Sequence, residues 1–203
     1  MVAPYTADEA RNWFVVAAPV SLDVFDHGPS EGEGVLFGNF SSPLSSELND
    51  EIDGAAEWLG VTPEEIVLAA LGRTFGRARG DGVVAVDVTG GHRWQCHPVS
   101  LICAAGLPMG PTEMLQGAHN ALGSAAGQPS AKSEILLSID AADAAAAPAT
   151  GHALQVRVRR IGGSLHSDWI YDTARLDRYS VEEMAEQFGP ALIGITSDAA
   201  TPL

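Results

Sequence analysis

The chain has 203 residues, 46% of them hydrophobic and 18% charged, which is enough for one domain with a sizeable core. Its net charge is −15, from 26 acidic against 11 basic residues, and Lys132 is the only lysine. Such a surface repels phosphate backbones and anionic lipid, so nucleic acid and membrane surfaces are excluded as partners.

Residues 1–32 read as an irregular, linker-like segment punctuated by Pro4, Pro19, Gly28, Pro29 and Gly32. The opening residues lack a basic stretch followed by an apolar one, and no apolar run approaches the ~20 residues of a membrane span. A cytoplasmic location is the expectation. Residues 33–40 predict a strand ended by Ser41, Ser42 and Pro43. Residues 45–59 predict a helix, with Leu48, Ile52, Ala55, Ala56 and Leu59 on one face and Gly60 as its stop.

The next start carries the clearest local signal. Thr62 caps, Pro63 takes the first helical position and Glu65 closes a capping box, so a buried helix is predicted over 63–78. Residues 82–88 read as a buried strand, 90–98 as a polar loop, and 99–109 as an apolar stretch of open type. A helix follows from Pro111 to Leu122, then a strand over 134–140 and an Ala/Pro-rich loop over 140–151. Residues 152–160 alternate, with Leu154, Val156 and Val158 inward and Gln155, Arg157 and Arg159 outward. Gly162-Gly163 turns this strand into 164–172, an antiparallel hairpin. Ser180 and Glu183 form a second capping box for a last helix whose apolar face is Val181, Met184, Phe188, Leu192 and Ile193. The tail from Thr196 is expected to fray. The order implies an α/β fold, a two-layer sandwich in which helices cover a mixed β-sheet.

Two strings, LGVTPEEIVLAALGRTFGRARGDGVVAVDVTGGHR (59–93) and GGSLHSDWIYDTARLDRYSVEEMAEQFGPALIGI (162–195), with matching element order between them, carry a family likeness. They resemble the C-terminal lobe of the condensation/epimerisation-type domains of nonribosomal peptide synthetases, which share the chloramphenicol-acetyltransferase-like fold. The resemblance spans roughly residues 35–197, so the lobe is set at 33–197, after the 1–32 linker and before a frayed 198–203 tail. It implies a carrier protein as partner, a substrate tethered to its phosphopantetheine arm, no bound cofactor, and either a complementary N-terminal lobe or a second copy to complete the domain. The family's HHxxxDG motif belongs to the other lobe, and this chain has no His-His pair. The epimerising branch supplies a glutamate in EGHGR, where this chain reads TGGHR (89–93) with Thr89 in the glutamate's place. A threonine hydroxyl does not carry protons at neutral pH unaided. The expectation is a chain that is not catalytic alone. Two alternatives stand beside it: a non-catalytic interaction protein that recruits carrier proteins or tailoring enzymes, and an oligomeric acyltransferase using His92 or His97 as base.

Thr89, His92 and Arg93 are therefore the candidate site residues, with Arg93 also suited to bracing its loop through a local carboxylate. His92, Cys96, His97 and Cys103 hold zinc-type donors, but their spacing matches no common structural-zinc pattern, and no metal is expected. Cys96 and Cys103 are expected to be free thiols. Cys96 and His97 are adjacent on an extended chain and point opposite ways, which argues against a nucleophile–base pair. Asp168 and Asp172 share a strand face and read as solvated hairpin decoration, while Trp169 and Tyr171 read as core.

Overall fold

The computed structural model describes residues 20–29, 35–90, 93–124, 133–139 and 151–203, with backbone alone for 93–97. The elements run β1 (Phe37–Pro43), α1 (Ser46–Leu59), α2 (Pro63–Arg79), β2 (Gly82–Gly90), β3 (Arg93–Cys103), α3 (Pro111–Ser124), β4 (Ile135–Ile139), β5 (Leu154–Ile161), β6 (Ser164–Asp172) and α4 (Arg178–Asp198). The strands form one mixed sheet in the order β1-β6-β5-β4-β2-β3. β2, β4 and β5 are parallel neighbours, and the other pairs are antiparallel. This is the expected α/β layering of helices on a mixed sheet.

Local chemistry sets several element ends. Ser45 accepts from the Glu47 N–H at the start of α1, and Gly60 closes that helix in the left-handed conformation. At α2 the capping box is complete: Glu65 N–H donates to Thr62 Oγ1 at 3.4 Å, and Thr62 N–H to Glu65 Oε2 at 2.8 Å. Gly162 and Gly163, both at positive φ, form a two-residue turn between the paired residues Ile161 and Ser164.

Five expectations change. The first strand starts at Phe37 and runs through Ser41–Pro43, because β6 continues alongside and supplies its partners as far as His166. The polar loop over 90–98 is largely strand: from Arg93 onward β3 folds back on β2, with Arg93 opposite Gly90. The last helix begins at Arg178 behind Asp177, so Ser180 lies inside its first turn and donates to Asp26 instead of capping. Its apolar face lacks Ile193, which is half exposed. The helix also runs past Thr196 to Asp198, and the Ala200 and Leu203 N–H groups donate to Thr112 and Gln116 of α3.

The core lies between the sheet and the helices. Val86, Val88, Leu137, Val156, Val158 and Trp169 face α2 and α4, and Trp169 meets Phe188 edge-on with centroids 5.9 Å apart. Trp169 and Tyr171 are core, as the pattern predicts.

Residues 20–29 pack against this body. Leu22 N–H donates to Val83 C=O at 2.8 Å, Val24 is buried, and Arg175 stacks on the Phe25 ring at 4.3 Å while bonding Glu134. Asp26 is the hub: it accepts from the Asp177 N–H at 2.8 Å and the Ser180 hydroxyl at 3.0 Å, and it pairs with Arg79 at 2.8 Å. Burial alone would raise its pKa, but those donors and the Arg79 charge outweigh it and hold the carboxyl below its ordinary 3.8. A depressed folded pKa means stability that is present above the ordinary carboxylate range and lost as pH falls through it. Asp26→Asn should cost about 2 kcal/mol at pH 7 in urea unfolding, with the deficit shrinking below about pH 4.

Candidate functional site on the open sheet face

The two faces of the sheet differ in chemistry. One row across it reads Val88, Leu137, Val156, Trp169 and Phe40, all apolar and all turned to the helices. The adjacent row, on the opposite face, reads Thr89, Ser138, Arg157, Asp168 and Ser41, all polar. This polar face is not a solvated one: Ser138, Gln155, Arg157, Asp168 and Asp172 are all buried. The alternation along β5 places Gln155 and Arg157 opposite the core as predicted, yet outward here does not mean exposed. Asp168 and Asp172 likewise correct the expectation of solvated decoration, each being 7% exposed.

Buried polar groups need partners. Asp168 accepts from Ser41 Oγ at 2.6 Å and from Arg159 Nε at 3.0 Å, with a second, shorter bond from Arg159 Nη2. Asp172 accepts from the Ala174 N–H at 2.9 Å and so organises the turn after β6. Arg157 donates to Gln155 Oε1 at 3.2 Å. Burial, and then the Arg159 charge, pull the Arg157 guanidinium below its usual pKa, with Asp168 opposing them.

Of the candidate residues, Thr89 lies on this face, opposite Ser138 at the end of β2. Gly90 follows at φ 126 with the Ile139 carbonyl occupying the place a Cβ would take, so only glycine fits at this end of β2. Arg93 opens β3 beside it. His92 and the side chains of Arg93, Cys96 and His97 lie outside the described residues. Cys103 is a free, buried thiol; burial first, and Asp81 second, push its pKa up to about 12, which removes it as a nucleophile. Among the described residues no group of three His, Cys, Asp or Glu side chains is arranged to hold a metal.

The sequence reading missed one pair. His152 Nε2 lies 2.8 Å from Asp87 Oδ2, both side chains largely buried, and Asp87 shares the open face with Thr89 two residues on. His152 Nδ1 is buried with no hydrogen-bond partner among the described residues. A partner 65 residues away leaves no local pattern; only the register of β2, β4 and β5 brings the two together. The other paired histidines sit elsewhere, His119 on Glu65 and His27 on Asp177. No described serine, threonine or cysteine is hydrogen-bonded to His152, so the face has an oriented imidazole but no nucleophile–base couple among the described residues. A cavity of about 240 Å³ lies in the helix layer, between Arg73 and Arg77 of α2, Leu107 and Met109 of the loop before α3, and Ile195 of α4. It is on the other side of the sheet from Thr89.

Among solved structures, the epimerization domain from the third module of tyrocidine synthetase B superposes with a TM-score of 0.67 at 13% identity, over 94% of this chain and 54% of that one. The condensation domain of monacolin K polyketide synthase gives 0.62 at 9% identity, over 92% and 54%. The EpoB cyclization-docking bidomain of Sorangium cellulosum gives 0.64 at 14%, over 91% and 46%. The chain has the fold of half a condensation/epimerisation-type domain. No protein-family model matches this sequence. A phenolphthiocerol/phthiocerol polyketide synthase protein, found in Mycobacterium tuberculosis and in Mycobacterium bovis, is 29% identical over 214 aligned positions, covering 78% of this chain. The chain spans only 14% of the length of those relatives, and about half of the solved domains. No helix among the described residues is long and apolar enough to cross a membrane.

The Arg159–Asp168 pair should behave as a buried couple. Arg159→Ala and Asp168→Ala should each cost about 3 kcal/mol in denaturant unfolding, because each strands a charge. The double variant should cost at least about 1 kcal/mol less than their sum.

Proposed function

We propose that the chain is the C-terminal half of a condensation/epimerisation-type domain in a peptide or polyketide synthase, and that its open sheet face is one wall of the channel where an acyl group leaves a carrier-bound thioester. The carrying observation is the polar row from Thr89 to Ser41, with Ser138, Arg157 and Asp168 buried at its centre, on a face that no described helix covers. Placing hydroxyls, a guanidinium and a carboxylate inside a protein costs free energy unless they are partnered or used. A wall of fixed donors and acceptors suits the amides of a phosphopantetheine arm and the carbonyl of its cargo. The half-length match to solved domains and the two C-terminal strings support the assignment to the second half.

The chain contributes binding and orientation, not the proton transfer that HHxxxDG performs in the family. Thr89 stands where the epimerising branch has its glutamate, so the reading is acyl transfer and not epimerisation. The partners are the complementary half and an acyl or peptidyl carrier protein; no cofactor is held by this half.

Mixing the chain with a half-domain that bears HHxxxDG, in the presence of a loaded carrier protein, should release transfer product by mass spectrometry. Neither half alone should do so. Arg157→Leu, with folding checked by circular dichroism, should lower the transfer rate by about tenfold or more. Turnover by the chain alone, or an unaffected Arg157→Leu mixture, contradicts the proposal.

A further inference from the structure

The two edges of the sheet are protected unequally. An edge strand offers unpaired N–H and C=O groups to any passing strand, and proteins usually blunt it with charge, proline or a bulge. β3, at one edge, carries Pro98 in its middle. β1, at the other, has only Pro43 at its very end, and no charged residue occurs from Val35 through Ser46 in a chain of net charge −15. No described strand pairs with its outer side.

The phase of β1 is fixed by its bonds to β6. Thr173 N–H donates to Leu36 C=O at 2.9 Å and Leu44 N–H to Leu165 C=O at 2.8 Å, so the even-numbered residues between them turn their backbone groups inward. The odd-numbered ones, Phe37, Asn39, Ser41 and Pro43, turn theirs outward, and these four residues are the exposed ones of the strand. An antiparallel second β1 on a twofold axis through Asn39 sets Asn39 against itself and Phe37 against Ser41. Every outward N–H then meets a carbonyl, and Pro43, which has no N–H, falls outside the ladder.

We infer that the outer edge of β1 pairs with the same edge of a second copy, joining two six-stranded sheets into one. The twofold register leaves no outward N–H of Phe37–Ser41 unpaired, and the absence of charge lets two acidic chains approach there. The inference rests on the reading of the chain as an incomplete half only in naming the kind of partner; its geometry stands without it.

Sedimentation velocity of the full chain up to about 100 μM should show a dimer that dissociates on dilution. Phe37→Lys combined with Asn39→Lys places charges on exposed positions and should weaken the dimer by at least about tenfold while leaving the fold intact. Backbone exchange at Asn39 and Ser41 should slow as concentration rises. A chain that stays monomeric, or a dimer indifferent to the two lysines, overturns the inference. A monomer whose β1 edge is protected only when the complementary half is added overturns it as well, while upholding the half-domain reading.

Discussion

The structure depends on one registry. Because β2, β4, β5, β6 and β1 align Val88 with Leu137, Val156, Trp169 and Phe40, the next residue of every strand must line up on the opposite face. That second row is Thr89, Ser138, Arg157, Asp168 and Ser41. The apolar row drives folding by burying its side chains under α2 and α4. The polar row inherits its alignment without any additional constraint. A slip of one residue in β2, β5 or β6 would turn Asp87, Arg157 or Asp168 into the helix-covered core, so the packing that stabilises the fold also fixes the polar face.

Distant ties hold this arrangement. Asp26 gathers the start of α4, the end of α2 and the segment before β1 through bonds from Asp177, Ser180 and Arg79. Arg175 does the same for the turn after β6, joining Glu134 before β4 and the Phe25 ring. Both hubs lie at the end of the sheet where β4 and β5 begin, opposite the end that Thr89 and Gly90 occupy. The first end is held by these charge-assisted hydrogen bonds; at the second, Gly162 and Gly163 turn β5 into β6.

How much of this was legible in the sequence follows from the range of each interaction. Helix starts at Ser45 and Thr62, the Gly162-Gly163 turn and the Trp169 core position are set by neighbours within a few residues, and their patterns show. β3 was hidden because Arg93, Gln95, His97 and Pro98 read as a loop, and only pairing with β2 makes that stretch extended. Ser180 looked like a cap because Asp26, its actual partner, lies 154 residues away. Alternation along β5 told which way Arg157 points but not that its surroundings are dry. The Asp87–His152 pair has no local signature at all. Family likeness located Thr89 and the missing histidine motif; the register then showed that Thr89 belongs to a row.

If the polar face is what the complementary half covers, the histidines report it directly. Histidine-labelled protein offers built-in controls, since His152 and His166 belong to the open face while His27 and His119 lie on the segment before β1 and on α3. Adding the HHxxxDG-bearing half during a side-chain NMR titration should shift the His152 and His166 resonances and leave those of His27 and His119 in place. Shifts confined to His27 and His119, or no binding at all, would contradict the account.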